Sequence, residues 1–127
     1  MIVDQRQMQA VLALPGDRRF LHFVKVVADR QEAWGLYQDG WALAATDDGV
    51  PVFPLWPARE YAEACAVGAW VDYSPRGIKL DDITTQLLPR LNEDGVLPGI
   101  FMTTKDKALT PTIGELLESI EAELKKY

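Results

Sequence analysis

Apolar and polar positions change period several times along the chain, and the changes mark its elements. Between Asp4 and Leu14, Met8, Val11 and Leu12 recur at i, i+3 and i+4, which predicts a short helix capped by Asp4. Pro15-Gly16 ends it, and Asp17 stands where it can cap the next. From Arg18 to Arg30, Phe20, Phe23, Val24 and Val27 mark one face, and Leu21 and Ala28 widen it into the stripe of a helix laid on a sheet. The period then drops to two. Ala33 to Pro57 reads as three short strands joined by hairpin turns at Asp39-Gly40 and Asp48-Gly49, because Gly accepts φ > 0 and Asp tolerates it. Trp34 and Trp41 are expected to meet across the first hairpin. Ala42, Ala44 and Thr46 leave room for a helix above the second strand. Pro51 and Pro54 each lack a ladder donor, so the third strand is expected at a sheet edge or bulged.

Pro57 fits the first turn of a further helix, with Ala58, Tyr61, Ala62 and Cys65 on one face and Gly68 as its stop. Ala69 to Tyr73 is expected as a short strand closed by the turn Ser74-Pro75-Arg76-Gly77. A helix begins near Asp81, with Leu80, Ile83, Leu87 and Leu91 as its buried stripe, and Pro89 should kink or divide it. Asp94-Gly95 leads into a strand from Val96 to Thr103. In the last helix Thr112 and Glu115 have capping-box spacing, and Ile113, Leu116, Leu117, Ile120 and Leu124 form the face expected to be buried. Together these elements predict a single α+β domain over residues 1–127. Its sheet is an antiparallel β-meander, with amphipathic helices packed mainly on one face.

Composition adds limits. An apolar content of 48%, with four tryptophans, is enough for a core that needs no disulfide or metal. The single cysteine, Cys65, cannot form an intramolecular bridge, and its place on an apolar helical stripe fits a reducing compartment. A net charge of −6 counts against free nucleic acid, whose binding depends on phosphate neutralisation. The N-terminal residues lack a charged region followed by a long apolar run, and no apolar run approaches the ~18 residues of a membrane span. The chain is therefore expected to be cytoplasmic, with no membrane partner.

Catalytic chemistry finds little support. One histidine, His22, and one cysteine are too few for structural zinc. A Cys–His pair would need two helix faces that the pattern does not bring together. Asp47-Asp48 with Asp39 or Asp72 has the oxygens for a hard cation, but turn formation already accounts for these residues. Asp81-Asp82 and Glu93-Asp94 likewise sit at helix starts and turns, and the nine glycines form no phosphate loop. No catalytic residue, metal site or cofactor is expected. The tryptophans are the remaining signal. They either fill a small core, the commoner fate of such rings, or line a groove. The candidate binding residues are Trp41, Trp56, Arg59 and Trp70. Trp56 closes an edge strand there, and Arg59 follows on the first turn of a helix, a corner suited to an acidic or extended segment.

The spacing of Trp34, Asp39-Gly40-Trp41, the acidic turn and Leu55-Trp56-Pro57, followed by Tyr61-Ala62, resembles an uncharacterised bacterial family, domain-of-unknown-function family 2750. The similarity continues through Trp70, Pro75 to Leu80, Leu88-Pro89, Asp94-Gly95 and the closing Leu124-Lys125-Lys126-Tyr127. Val96 to Met102 departs from it, being a less regular strand. The resemblance implies a small bacterial cytosolic domain and transfers no activity. The function expected is a protein-binding or regulatory module without catalysis, its partner another protein. The alternative is a small-ligand binder or enzyme with a pocket near Trp41, Trp56 and Trp70. Homo-oligomerisation is left open.

Overall fold

Strand β1 (Glu32–Tyr37) runs antiparallel to a strand far along the chain, β4 (Ser74–Lys79), with Trp34 opposite Gly77 and Gly35 opposite Arg76. The computed structural model describes residues 4–127. In a second sheet, β3 (Pro51–Leu55) lies between β2 (Ala44–Ala45), antiparallel to it, and β5 (Leu97–Ile100), parallel to it. One bridge joins the sheets: Trp34 and Trp56 exchange backbone N–H···O=C bonds, each 2.8 Å. The fold is α+β. Its strand order is not a simple meander, because β1 pairs with β4 rather than β2. The parallel β3–β5 pair also needs the long crossover between them.

Around the sheets stand α1 (Gln5–Leu12), α2 (Gly16–Arg30), α3 (Arg59–Ala64) and α6 (Ile113–Leu124), with α2 packed against α6. A fifth helical run has three parts: α4 (Leu80–Asp82), a π turn (Ile83–Leu87) and α5 (Leu88–Asp94). One hydrophobic cluster includes Val27, Leu55, Trp56, Phe101, Leu116 and Ile120, all buried. Its termini follow the expected chemistry. The Asp4 carboxylate accepts from the Arg6 N–H, and Thr112 and Glu115 complete a reciprocal capping box.

Several expectations are corrected. Strand β3 is interior despite its prolines. Leu55 O accepts from Phe101 N–H on the β5 side and Trp56 faces Trp34 on the other, so alternation turns Pro54 toward β1 and β2. There β2 pairs only with Pro51 and Val52, and the bridge to β1 begins at Trp56, so the missing donor deprives no partner. The segment after α3 is also inverted. Gly68–Trp70 is a 3₁₀ turn and Ser74–Lys79 a strand, because an edge strand tolerates Pro75 and Gly77. Gly68 (φ +59°) therefore opens that turn instead of ending α3, whose N-cap is Ala58, leaving Pro57 outside the helix. Strand β5 stops at Ile100, where Phe101 takes φ +55° and the Thr103 hydroxyl accepts from the N–H groups of Lys105 and Asp106. Asp17 lies inside the first turn of α2, and Pro15 is the N-cap. Leu21 is 61% exposed, and Leu117 is only half-buried.

Candidate functional site

The chain leaves β1 through a turn in which Asp39 takes φ +55° and Gln38 N–H donates to Gly40 O. A one-residue bridge then sets Trp41 opposite Tyr37. No β1–β2 hairpin follows, whereas Asp48-Gly49 does close the β2–β3 hairpin, with Gly49 at φ +83°. The first turn instead brings the Trp41 ring against Gly35. A Cβ at Gly35 would stand 2.9 Å from Cζ3 and 3.0 Å from Cε3 of that ring, so only glycine fits. Trp41 therefore lies on the face of β1 opposite Trp34, and the two rings do not meet as expected. Trp41 packs edge-on to Tyr37 (centroids 5.2 Å apart) and tilted against Phe53 (5.5 Å). From the neighbouring strand, the Arg76 guanidinium lies 4.3 Å over the Tyr37 ring and 6.0 Å from the Trp41 ring.

The π turn completes the site. Pro89 has no N–H to give the carbonyl four residues back, and the ladder widens in the turn just before it. That wider turn shifts the buried stripe by one residue. Leu80, Ile83, Leu88 and Leu91 are buried, while Leu87, expected inside, is half-buried beside Trp41. The result is a cleft of about 190 Å³ lined by Trp41, Ile78, Asp82, Gln86, Leu87 and Arg90. Trp41, Ile78 and Leu87 give it an apolar floor, with ionic groups at its rim.

The other candidate residues are dispersed. Trp56 is completely buried, and its indole N–H donates to Met102 O at 2.9 Å, so it presents no edge to a partner. Trp70, on the 3₁₀ turn, meets Trp56 edge to face at 6.5 Å. Arg59 is exposed and borders a hollow of about 510 Å³ with Asp29, Arg30, Glu32, Trp34 and Glu60. Trp56 and Arg59 do not converge on one corner.

The reactive groups are also placed. Cys65 is buried, its thiol 3.7 Å from Met102 O, and burial pushes its pKa up to about 11 against a smaller opposing contact with Trp56. The His22 ring stands 6.1 Å from that of Phe101. Burial, then Arg30 and Lys25, hold its pKa below the ordinary value. Asp47 pairs with Lys107, both strongly exposed. Among the described residues no three His, Cys, Asp or Glu side chains gather as metal ligands, and no helix is long and apolar enough to cross a membrane.

Arg19 escaped the sequence analysis. It is 2% exposed, and its guanidinium donates to Phe101 O (3.0 Å), Leu14 O (2.6 Å) and Asp106 Oδ2 (3.2 Å). It ties the end of α1 and the chain after β5 to α2. The signal was its spacing, four residues before Phe23 and eight before Val27, on the buried stripe.

No curated protein and no solved structure matches the chain. A sequence model of the family described as "Protein of unknown function (DUF2750)" matches residues 20–120, which include every residue of the Trp41 cleft. As the Asp39-Gly40-Trp41 turn and the Leu55-Trp56-Pro57 run implied, the chain belongs to that family.

Proposed function

We propose that this chain is a cytoplasmic protein-binding or regulatory module without catalysis, and that the Trp41 cleft receives an apolar side chain of a protein partner. The observation that carries this is the pinned Trp41 ring: half-buried, fixed over Gly35 and flanked by an exposed guanidinium. A rigid aromatic floor with an arginine beside it has the composition of an interface anchor. At about 190 Å³ the cleft falls below the roughly 300 Å³ at which small-molecule sites begin, and it suits one side chain. Neither Cys65, packed in the core, nor His22, against Phe101, lines this cleft.

The experiment is affinity capture from host lysate with wild type, Trp41→Ala and, as a control, Val71→Ala at an exposed position away from the cleft. The expected result is a protein retained by wild type and Val71→Ala and lost with Trp41→Ala. Equal retention by all three would place the interface elsewhere. One observation favours the small-ligand reading: a cleft of about 410 Å³, lined in part by Gln9, Cys65, Thr103, Lys105 and Asp106. Metabolite binding that is lost with Gln9→Ala and kept with Trp41→Ala would favour that second reading.

A further inference from the structure

Strand β4 is the outermost strand of its sheet, and the Trp34–Trp56 bridge fixes which of its backbone groups are free. Trp34 gives both backbone groups to Trp56, so Ala33, Gly35 and Tyr37 turn theirs toward β4. Their partners Ile78, Arg76 and Ser74 therefore bond inward. The bond from Leu80 N–H to Gln31 O keeps the same parity. Pro75, Gly77 and Lys79 consequently face outward, leaving the Gly77 and Lys79 N–H groups and the Pro75 and Gly77 carbonyls without a partner in the sheet. The Lys79 carbonyl belongs to α4, of which Lys79 is the N-cap. Gly77 and Lys79 are exposed.

Charge separates the candidate occupants. The segment Ser74–Lys79 carries Arg76 and Lys79 and no carboxylate. Arg90 adds a third cation across the cleft, and Asp82 is the one carboxylate lining it. Lys79 stands opposite Glu32 in the ladder, so the weight falls on Arg76 and Arg90. Arg76, Lys79 and Arg90 take no part in the ion pairs Arg19–Asp106, Lys107–Asp47 and Lys126–Glu123. On a chain of net charge −6 they form a local basic edge. A second copy of this chain would set the same cations against one another across a β4–β4 pair. Arg76 is exposed while its guanidinium lies over Tyr37, and a guanidinium held on a ring face can still pair with a carboxylate.

We infer that the partner docks by strand addition: an extended acidic segment pairs with the outer edge of β4, sets one apolar side chain in the Trp41 cleft and places a carboxylate on Arg76. This rests on the binding function proposed above and names the partner's conformation and charge.

The test is selection of random twelve-residue peptides displayed on phage against the full chain, followed by titration and amide exchange with the enriched peptides. Lys79 already has φ −64°, so Lys79→Pro removes its outward N–H with little backbone change, and Lys79→Gln controls for the charge. The expected peptides are acidic. They should bind Lys79→Pro roughly tenfold more weakly than Lys79→Gln. With Arg76→Glu they should weaken by about tenfold or more, and they should slow exchange of the Gly77 amide. Neutral or basic winners, no enrichment, equal binding by the two Lys79 variants, an unprotected Gly77 amide or a β4-paired dimer would each overturn the inference. If peptides need Trp41 yet leave Gly77 unprotected, strand addition falls and the cleft proposal stands. If they protect Gly77 and bind Trp41→Ala unchanged, strand addition stands and the cleft proposal falls.

Discussion

Gly35→Ala tests the cleft by sign as well as size. In a strand, replacing glycine with alanine is ordinarily favourable by roughly 0.5–1 kcal/mol, because glycine has more freedom to lose. Here the new Cβ would stand 2.9–3.0 Å from two Trp41 ring carbons, well inside the ~3.5–4.0 Å of an ordinary carbon contact. The ring cannot easily withdraw, since Phe53 lies on it at 5.5 Å and Tyr37 at 5.2 Å. Overpacking of this kind costs about 1–3 kcal/mol, so after the backbone gain a net loss of roughly 0.5–2 kcal/mol is expected. Urea unfolding followed by circular dichroism measures it, and the same substitution in a Trp41→Ala background completes a double-mutant cycle. There the obstacle is gone, and Gly35→Ala should become neutral or stabilising. Stabilisation by Gly35→Ala in the wild-type background, or the same cost in both backgrounds, would refute the pinned ring.

Arg19→Met should cost about 1–3 kcal/mol for each of the two carbonyls it strands, Leu14 O and Phe101 O, while the exposed partner carboxylate returns to water. Asp106→Asn should cost under about 1 kcal/mol, since Asp106 is 60% exposed; urea unfolding of both variants checks the contrast. Leu116, fully buried, should cost about 2–5 kcal/mol on truncation to Ala, and half-buried Leu117 less, measured in the same way. Burial, Arg30 and Lys25 lower the folded-state pKa of His22 below 6.5, so the unfolded chain takes up that proton first. Stability should be full above pH 6.5 and fall as the pH drops toward the folded-state value, and His22→Gln should flatten that part of the profile. The Cys65 thiol, raised from 9.0 to about 11, should hold about a hundredfold less thiolate than an ordinary cysteine and resist alkylation at pH 8 until the chain unfolds.

What was legible in the sequence was local. Asp4, the Thr112–Glu115 box and the Asp48-Gly49 turn act within a few residues, and each does what its chemistry implies. Strand pairing was not legible, because β1 finds β4 some forty residues later and nothing in either segment names the other. Pro75 and Gly77 read as a turn for the same reason that they suit an edge strand: neither supports a ladder on both sides. The site shows the same division. Trp41 was singled out, but Gly35, Arg76 and Leu87 were not, since their roles depend on the β1–β4 register and on a π turn that shifts the stripe from Leu87 to Leu88. Trp56, grouped with Trp41 as a binding residue, serves the core instead.

The most direct measurement of the central claim is site-specific photocross-linking in the native host. Gln86, exposed at the rim of the Trp41 cleft, would be replaced by p-benzoylphenylalanine, and Glu118, exposed on α6, would carry the same probe as a control. The account predicts a discrete protein adduct from position 86, absent from position 118 and abolished when Trp41→Ala is added. Adducts at position 118 alone, equal adducts at both positions, or an adduct at 86 that persists with Trp41→Ala would contradict it.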